Sequence, residues 1–132
     1  NVVSLLVARL RDVANAQAFD VVAYCFMPDH CHFVLSGKAE SSDLLTCIAV
    51  YKQHTGYEFK QSFGQHLWAT SFYDHVLRRE ENIKTVGRYV LLNPVRGGLA
   101  EKVLDYPYGG SFVYDMKELI QHDPFLSLPR SV

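Results

Sequence analysis

Two β-rich apolar runs separated by a short turn are the feature that most constrains the fold of this chain. The runs are residues 21–27 and 30–35, and Pro28-Asp29 lies between them. Proline presets φ and aspartate hydrogen-bonds nearby backbone, so this pair is typical of turns. Ser36-Gly37 ends the second run. The pattern therefore predicts a β-hairpin, or a single strand with a break.

Apolar residues at helical spacing predict helices on both sides of this hairpin. The first helix occupies the start of the chain and ends near Asn15. The second is predicted to be capped by Ser41 and Ser42, because hydroxyl side chains suit a helix N-terminus. Gly56 or Gly64 is expected to end it.

The second half of the chain predicts a strand followed by a helix. Residues 67–77 are rich in aromatic and β-branched side chains, which favour a strand. Glu80-Glu81 suits the start of a helix, where acidic groups meet the positive end of the dipole. This helix should end near Leu92 or Asn93, because Pro94 forces the preceding residue out of helical geometry.

The composition is that of a single globular domain over residues 1–132, with residues 115–132 expected to form a peripheral tail. The chain is 48% hydrophobic and 20% charged, which fits neither a disordered nor a membrane protein. The formal net charge of −1 provides no global basic field, so any phosphate contact must come from a local basic strip. The three cysteines form no Cys-x-x-Cys pair, which favours a reducing, cytoplasmic location.

His30 and His32 are the first candidate site residues. Residues two apart on an extended strand point to one face, so both imidazoles can approach one metal ion while Cys31 points away. Two ligands leave most of the coordination sphere open, which suits a catalytic ion. An isolated His-x-His pair also occurs in strands without binding metal, and that alternative stays open at this point.

Tyr89 and Asn93 are the second pair. They lie four residues apart on the helix that ends at Pro94, so they share one face. Tyr89 also lies at the edge of the apolar stripe of that helix, which leaves open the alternative of a half-buried core phenol.

The two motifs together resemble a known family. The segments are Met27-Pro28-Asp29-His30-Cys31-His32, Trp68, and Arg88-Tyr89-Val90-Leu91-Leu92-Asn93-Pro94-Val95-Arg96-Gly97-Gly98-Leu99. They resemble the single-tyrosine HUH transposases of the insertion-sequence-200-like family, and most closely its REP-associated tyrosine transposase branch. The similarity extends from about Val21 to Ser111.

The resemblance implies an α+β fold, with an antiparallel sheet of about four strands packed with α-helices in a ferredoxin-like, HUH-endonuclease-like sandwich. It implies that His30, His32 and Asn93 hold Mg²⁺ or Mn²⁺ and that Tyr89 is the nucleophile. The implied reaction is cleavage and strand transfer of single-stranded DNA through a 5′-phosphotyrosine, in transposition or in processing of palindromic repeats. Zinc is the alternative metal if Cys31 turns inward.

The expected partner is single-stranded or hairpin DNA, with no membrane contact and a cytoplasmic, nucleoid-associated location. The predicted DNA-binding residues are Lys52, Arg78, Arg88 and Arg96, and the aromatic side chains available to stack on bases are Tyr106, Tyr108 and Phe112. A homodimer and a monomer are both compatible with the sequence. Relatives begin with a strand that does not precede Val2, so we expect the sheet to lack that strand unless residues upstream of Asn1 supply it.

Two other functions compete with the enzyme. One is a non-catalytic hairpin-DNA-binding module derived from such a transposase, and the presence of all four residues His30, His32, Tyr89 and Asn93 favours the enzyme over it. The other is a structural metal-binding domain, which would need the histidines without Tyr89.

Overall fold

The computed structural model describes residues 1–68 and 83–121, and the chain divides into two compact units. Unit 1 comprises residues 1–20 and 37–76, and unit 2 comprises residues 21–36 and 77–132. The single-domain organisation stays a prediction. In the described residues, no helix is long and apolar enough to cross a membrane.

Unit 1 contains two helices in its described residues, α1 (Val2–Ala16) and α2 (Leu44–Phe63). The predicted apolar stripe of α1 is confirmed, because Leu6, Leu10 and Val13 are buried. The two helices are joined by a buried hydrogen bond, in which the hydroxyl of Tyr51 donates to the carbonyl of Leu6 at 2.8 Å.

The cap of α2 differs from the prediction. Asp43 is the N-cap residue, and its carboxylate accepts a hydrogen bond from the backbone N–H of Thr46 at 3.2 Å. The hydroxyl of Ser42, predicted to cap the helix, donates instead to the carbonyl of Ala18 at 2.7 Å. The helix ends at Gly64, whose φ of 69° is a left-handed conformation that glycine adopts without steric cost.

The predicted hairpin is confirmed. Strand β1 (Phe19–Phe26) is followed by β2 (Cys31–Gly37), and the N–H of Met27 donates to the carbonyl of His30 across the Pro28-Asp29 turn at 2.8 Å. A short strand, β3 (Gly109–Gly110), pairs with the other side of β1. The strand order β2-β1-β3 makes β1 the central strand of the described sheet.

The other regular elements in the described residues of unit 2 are helical. The elements are α3 (Ile83–Leu91), α4 (Asn93–Arg96), a 3₁₀ turn (Val103–Asp105) and α5 (Met116–Gln121). The core of this unit is formed by β1, β2 and these helices, with Ala23, Val34 and Leu91 among its fully buried residues.

Helix α5 lies within residues 115–132, which were predicted to form a peripheral tail, and the prediction is wrong for this helix. Leu119 is 2% exposed and belongs to the core, and Met116 and Ile120 pack against it. These three residues have helical spacing, which the intervening charged residues obscure in the sequence. Residues 122–132 lie outside the described part of the chain.

The α+β class and the antiparallel sheet are confirmed. The sheet has three strands among the described residues. Most of the strand predicted over residues 67–77 and the helix start predicted at Glu80-Glu81 fall in residues 69–82, outside the described residues.

Candidate functional site

The two histidine rings lie side by side at the start of β2. Their centroids are 4.9 Å apart and their planes are nearly perpendicular, at 87°. The prediction that both side chains point the same way is confirmed. His30 immediately precedes the strand and its side chain is 50% exposed, while His32 is the second residue of the strand.

The distance between the two ring centroids can be compared with the distance between two imidazoles that bind one metal ion. A metal–nitrogen bond of about 2.1 Å places each imidazole centre about 3.2 Å from the ion, so two rings at tetrahedral or octahedral angles have centres about 4.5–5.2 Å apart. The observed 4.9 Å falls in this range. The separation of the ring centres therefore permits both imidazoles to approach one divalent ion, and metal binding by the pair stays a prediction.

Asp29 orients the first ring. Its carboxylate lies 2.6 Å from Nδ1 of His30. The hydrogen bond from His30, together with the positive charge of a protonated ring, lowers the pKa of the Asp29 carboxyl. A carboxylate on Nδ1 favours the tautomer in which Nε2 has a free lone pair, which is the form that binds metal. Sequence analysis missed this role of Asp29, although its place directly before His30 in a two-residue turn is a usable indication.

His32 belongs to the face of the sheet that α3 covers. Val34, two residues further along β2, is 1% exposed and shares the core with Val90 and Leu91 of α3. Because side chains on a strand alternate between faces, His32 lies on the same face as Val34. By the same alternation Cys31 belongs to the opposite face, and the described residues contain no group of three or more His, Cys, Asp or Glu side chains that could hold a metal ion. The identity of the metal, including the zinc alternative through Cys31, stays a prediction.

Tyr89 is an exposed side chain. It is 61% accessible, while its neighbours Gly87, Val90 and Leu91 form the buried side of α3. The alternative of a half-buried core phenol is therefore wrong. The guanidinium of Arg96 covers the ring, with its central carbon 3.7 Å from the ring centroid.

Asn93 lies at the start of α4, where Pro94 interrupts the hydrogen bonds of the helix. Proline has no N–H, so it cannot donate to the carbonyl of Val90 four residues earlier. The side-chain amide of Asn93 donates to that carbonyl instead, at 3.0 Å. Its other end, Oδ1, accepts a hydrogen bond from Nη2 of Arg96 at 2.8 Å. An amide oxygen has two lone pairs, so Oδ1 can accept the bond from Arg96 and still offer one lone pair to a metal ion. Metal binding by Asn93 stays a prediction.

The sequence of the chain matches a known protein family. Residues 2–92 match the family described as "Transposase IS200 like", a stretch that contains both histidines and Tyr89 and exceeds two thirds of the chain. The chain belongs to this family. Asn93 lies just beyond the matched residues.

Individual relatives point to one branch of the IS200-like transposases. A protein of Haemophilus influenzae named as a REP-associated tyrosine transposase is 27% identical over 110 residues, covering 75% of this chain and 62% of the relative. A REP-associated tyrosine transposase of Escherichia coli is 23% identical over 97 residues, covering 73% and 56% respectively. The chain thus spans about three fifths of the length of the curated relatives it matches.

A solved structure shares the fold. It is a REP-associated tyrosine transposase bound to a REP hairpin, and it superposes with a TM-score of 0.63 at 22% identity. The match covers 79% of this chain and 61% of the other. At this identity the likeness supports the fold alone.

The predicted DNA-binding residues of this IS200-like chain have different environments. Arg88 is half-buried, and its Nε donates to the carbonyl of Leu119, which ties α3 to α5. Lys52, in unit 1, places its ammonium 5.8 Å from the ring centre of Trp68. Arg96 is exposed beside Tyr89, and Arg78 lies outside the described residues. DNA binding by all four stays a prediction.

All three aromatic residues proposed to stack on bases make internal contacts. The hydroxyl of Tyr106 donates to the carbonyl of Phe26, and burial raises the pKa of this phenol. The ring of Phe112 packs on Tyr24 with centroids 5.1 Å apart. The ring of Tyr108 packs edge-to-face on Tyr106 with centroids 5.5 Å apart, but Tyr108 is 38% exposed and remains the candidate for stacking.

Proposed function

We propose that this chain cleaves and rejoins single-stranded DNA in a metal-dependent reaction, with Tyr89 as the nucleophile. The proposed substrate is DNA with a hairpin and a single-stranded flank, processed during transposition or at palindromic repeats. The family membership and the relatives' names support the substrate class, because one related structure holds a REP hairpin.

Tyr89 supplies the nucleophilic oxygen in this proposal. Its Oη forms a bond to the phosphorus of the scissile phosphate, and the bond between that phosphorus and the 3′-oxygen breaks. The phenol loses its proton to solvent, and the departing 3′-oxygen gains one. Attack by another 3′-hydroxyl reverses these steps, so strand transfer conserves one phosphoester bond and needs no ATP. The high exposure of Tyr89 supports this role, because a single strand can reach the phenol without unfolding of α3.

His30, His32 and Asn93 would hold Mg²⁺ or Mn²⁺. A bound divalent ion polarises the phosphate and stabilises charge that develops on its oxygens. The residues of the chain prepare this site, because Asp29 orients His30 and the carbonyl of Val90 orients Asn93. Imidazole ligands bind Mn²⁺ well, whereas Mg²⁺ is usually held by oxygen atoms alone. A ligand set of two imidazoles and one amide oxygen therefore suits Mn²⁺.

The observation that carries the proposal is the paired geometry of His30 and His32. The rings are adjacent at a distance that fits one ion, and His32 lies on the sheet face covered by α3, the helix that carries Tyr89. A structural metal domain would have no use for an exposed tyrosine on that helix.

The test is the formation of a covalent protein–DNA adduct. A labelled single strand with a hairpin is incubated with the protein and Mn²⁺, then resolved on a denaturing gel. We expect a slowly migrating labelled band with the wild-type protein and none with Tyr89→Phe, His30→Ala or EDTA. Hairpin binding should persist in Tyr89→Phe, because that substitution removes one exposed hydroxyl.

The outcomes separate the proposed enzyme from its rivals. Tight hairpin binding by wild type without any adduct would favour a non-catalytic binding module. Loss of folding in EDTA, measured by circular dichroism, would favour a structural metal. An adduct of equal yield in Tyr89→Phe would refute the proposed nucleophile.

A further inference from the structure

Arg96 makes three contacts that converge on Tyr89 and Asn93. Its guanidinium lies over the Tyr89 ring, with 3.7 Å from the guanidinium carbon to the ring centroid. Its Nη2 donates to Oδ1 of Asn93 at 2.8 Å and approaches the carbonyl of Tyr89 at 3.3 Å. One side chain thus contacts both residues that the proposed function needs on this helix.

These contacts cross the break between α3 and α4. Tyr89 belongs to α3 and Asn93 begins α4, with Leu92 between the two helices. Pro94 removes one backbone hydrogen bond at this break, so the relative orientation of the two side chains has less support from the backbone. Arg96 spans the break with its side chain.

The chemistry of arginine suits this position. Its planar guanidinium can stack on an aromatic ring and, in the same pose, donate hydrogen bonds in its own plane. A lysine ammonium at this place could do only one of the two well, because it is a point charge on a flexible stem. Arg96→Lys therefore keeps the positive charge but removes the bridging geometry.

We propose that Arg96 is a positioning residue that fixes the ring of Tyr89 and the amide of Asn93 relative to each other for DNA cleavage. The inference rests on the proposed function of Tyr89. It differs from the prediction of Arg96 as a DNA contact, because the guanidinium acts on the nucleophile and not primarily on a phosphate.

The first test measures the arrangement without DNA or metal. Stacking over a tyrosine ring shifts the side-chain proton resonances of Arg96 upfield in an NMR spectrum. We expect this shift in the wild-type protein and its loss in Tyr89→Leu. The near-ultraviolet circular dichroism of the variant should differ from wild type only by the contribution of the deleted tyrosine, which shows that the fold is intact. Absence of the upfield shift in the wild-type protein would overturn the inference.

The second test separates positioning from phosphate binding. Single-turnover cleavage of a labelled hairpin substrate with Mn²⁺ is measured at saturating DNA, and hairpin affinity is measured at several salt concentrations. For Arg96→Lys and Arg96→Ala we expect the cleavage rate constant to fall roughly 10- to 100-fold, because small misplacements of reacting groups have effects of this size. The affinity should stay within about twofold of wild type, and the slope of log affinity against log salt should be unchanged.

A phosphate contact predicts the reverse pattern. Arg96→Ala would then weaken binding and reduce the slope of log affinity against log salt by about 1, with an unchanged rate constant at saturation. That result, or full activity of Arg96→Lys, would overturn the inference. Lys102→Ala is the matched control, because it removes an exposed cation of the same unit from outside the site and should change neither quantity.

Failure of the proposed function has a different signature. If the wild-type protein forms no adduct with DNA, Tyr89 is not a nucleophile and the catalytic role of Arg96 falls with it. The upfield shift in the NMR spectrum would still report whether Arg96 covers the ring.

Discussion

Gly87 lies on the buried side of helix α3 against strand β1, and two substitutions there are predicted to change stability in opposite directions. A Cβ built at this position would lie 3.4 Å from Cγ1 of Val22 and 3.5 Å from Cβ of Ala23. These are ordinary van der Waals distances, so alanine fits without displacing either neighbour. Glycine inside a helix costs about 0.5–1 kcal/mol relative to alanine.

Gly87→Ala should therefore raise the free energy of unfolding by about 0.5–1 kcal/mol, which corresponds to roughly 2–4 °C in Tm for a chain of this size. Gly87→Leu adds three further carbons against Val22 and Ala23, which are only 2% and 0% exposed. Overpacking of this kind costs about 1–3 kcal/mol. It should also slow DNA cleavage, because the displaced helix carries Tyr89.

The assay is urea unfolding followed by far-ultraviolet circular dichroism, with single-turnover cleavage measured on the same preparations. The two variants share one site, so each controls for the other. Stabilities that change in the same direction, or a leucine variant as stable as wild type, would refute the packing of α3 on β1 at Gly87.

Three further predictions concern other parts of the molecule. Gly64→Ala should lower the free energy of unfolding by about 1 kcal/mol, because φ is 69° there, and Gly64→Asn should cost less in a thermal melt. Asp29→Asn should weaken Mn²⁺ binding roughly tenfold in calorimetry, since the carboxylate orients His30; an unchanged affinity would contradict that role. Burial raises the pKa of the Cys25 thiol to about 12, so at pH 8 it stays protonated and should resist iodoacetamide until the protein unfolds, as peptide mapping can check.

The hairpin and the histidine pair could be predicted because their causes are local. Pro28-Asp29 fixes the turn, and the two-residue spacing at the start of β2 brings His30 beside His32. The bond from Asn93 to the carbonyl of Val90 also has a local cause, because it replaces the N–H that Pro94 lacks. It could have been predicted from the Asn-Pro pair.

Other features depend on contacts that the sequence pattern does not contain. Ser42 does not cap α2, because its hydroxyl donates a hydrogen bond to the carbonyl of Ala18, which lies just beyond the end of α1. Leu119 lies in the core although charged residues precede it. Its burial could not be predicted, because a six-residue helix has too few positions to show a clear periodicity. The position of Arg96 over Tyr89 depends on how a long side chain folds back across the helix break, which spacing alone does not determine.

The identity of the residue that becomes joined to DNA tests the central claim most directly. The wild-type protein is incubated with the hairpin substrate and Mn²⁺, digested with trypsin and nuclease, and the nucleotide-linked peptide is sequenced by mass spectrometry. We predict a single modified residue, Tyr89, and no modified peptide from Tyr89→Phe. Modification of Tyr73 or Tyr51 instead, or an undiminished adduct in Tyr89→Phe, would contradict the proposed role of Tyr89.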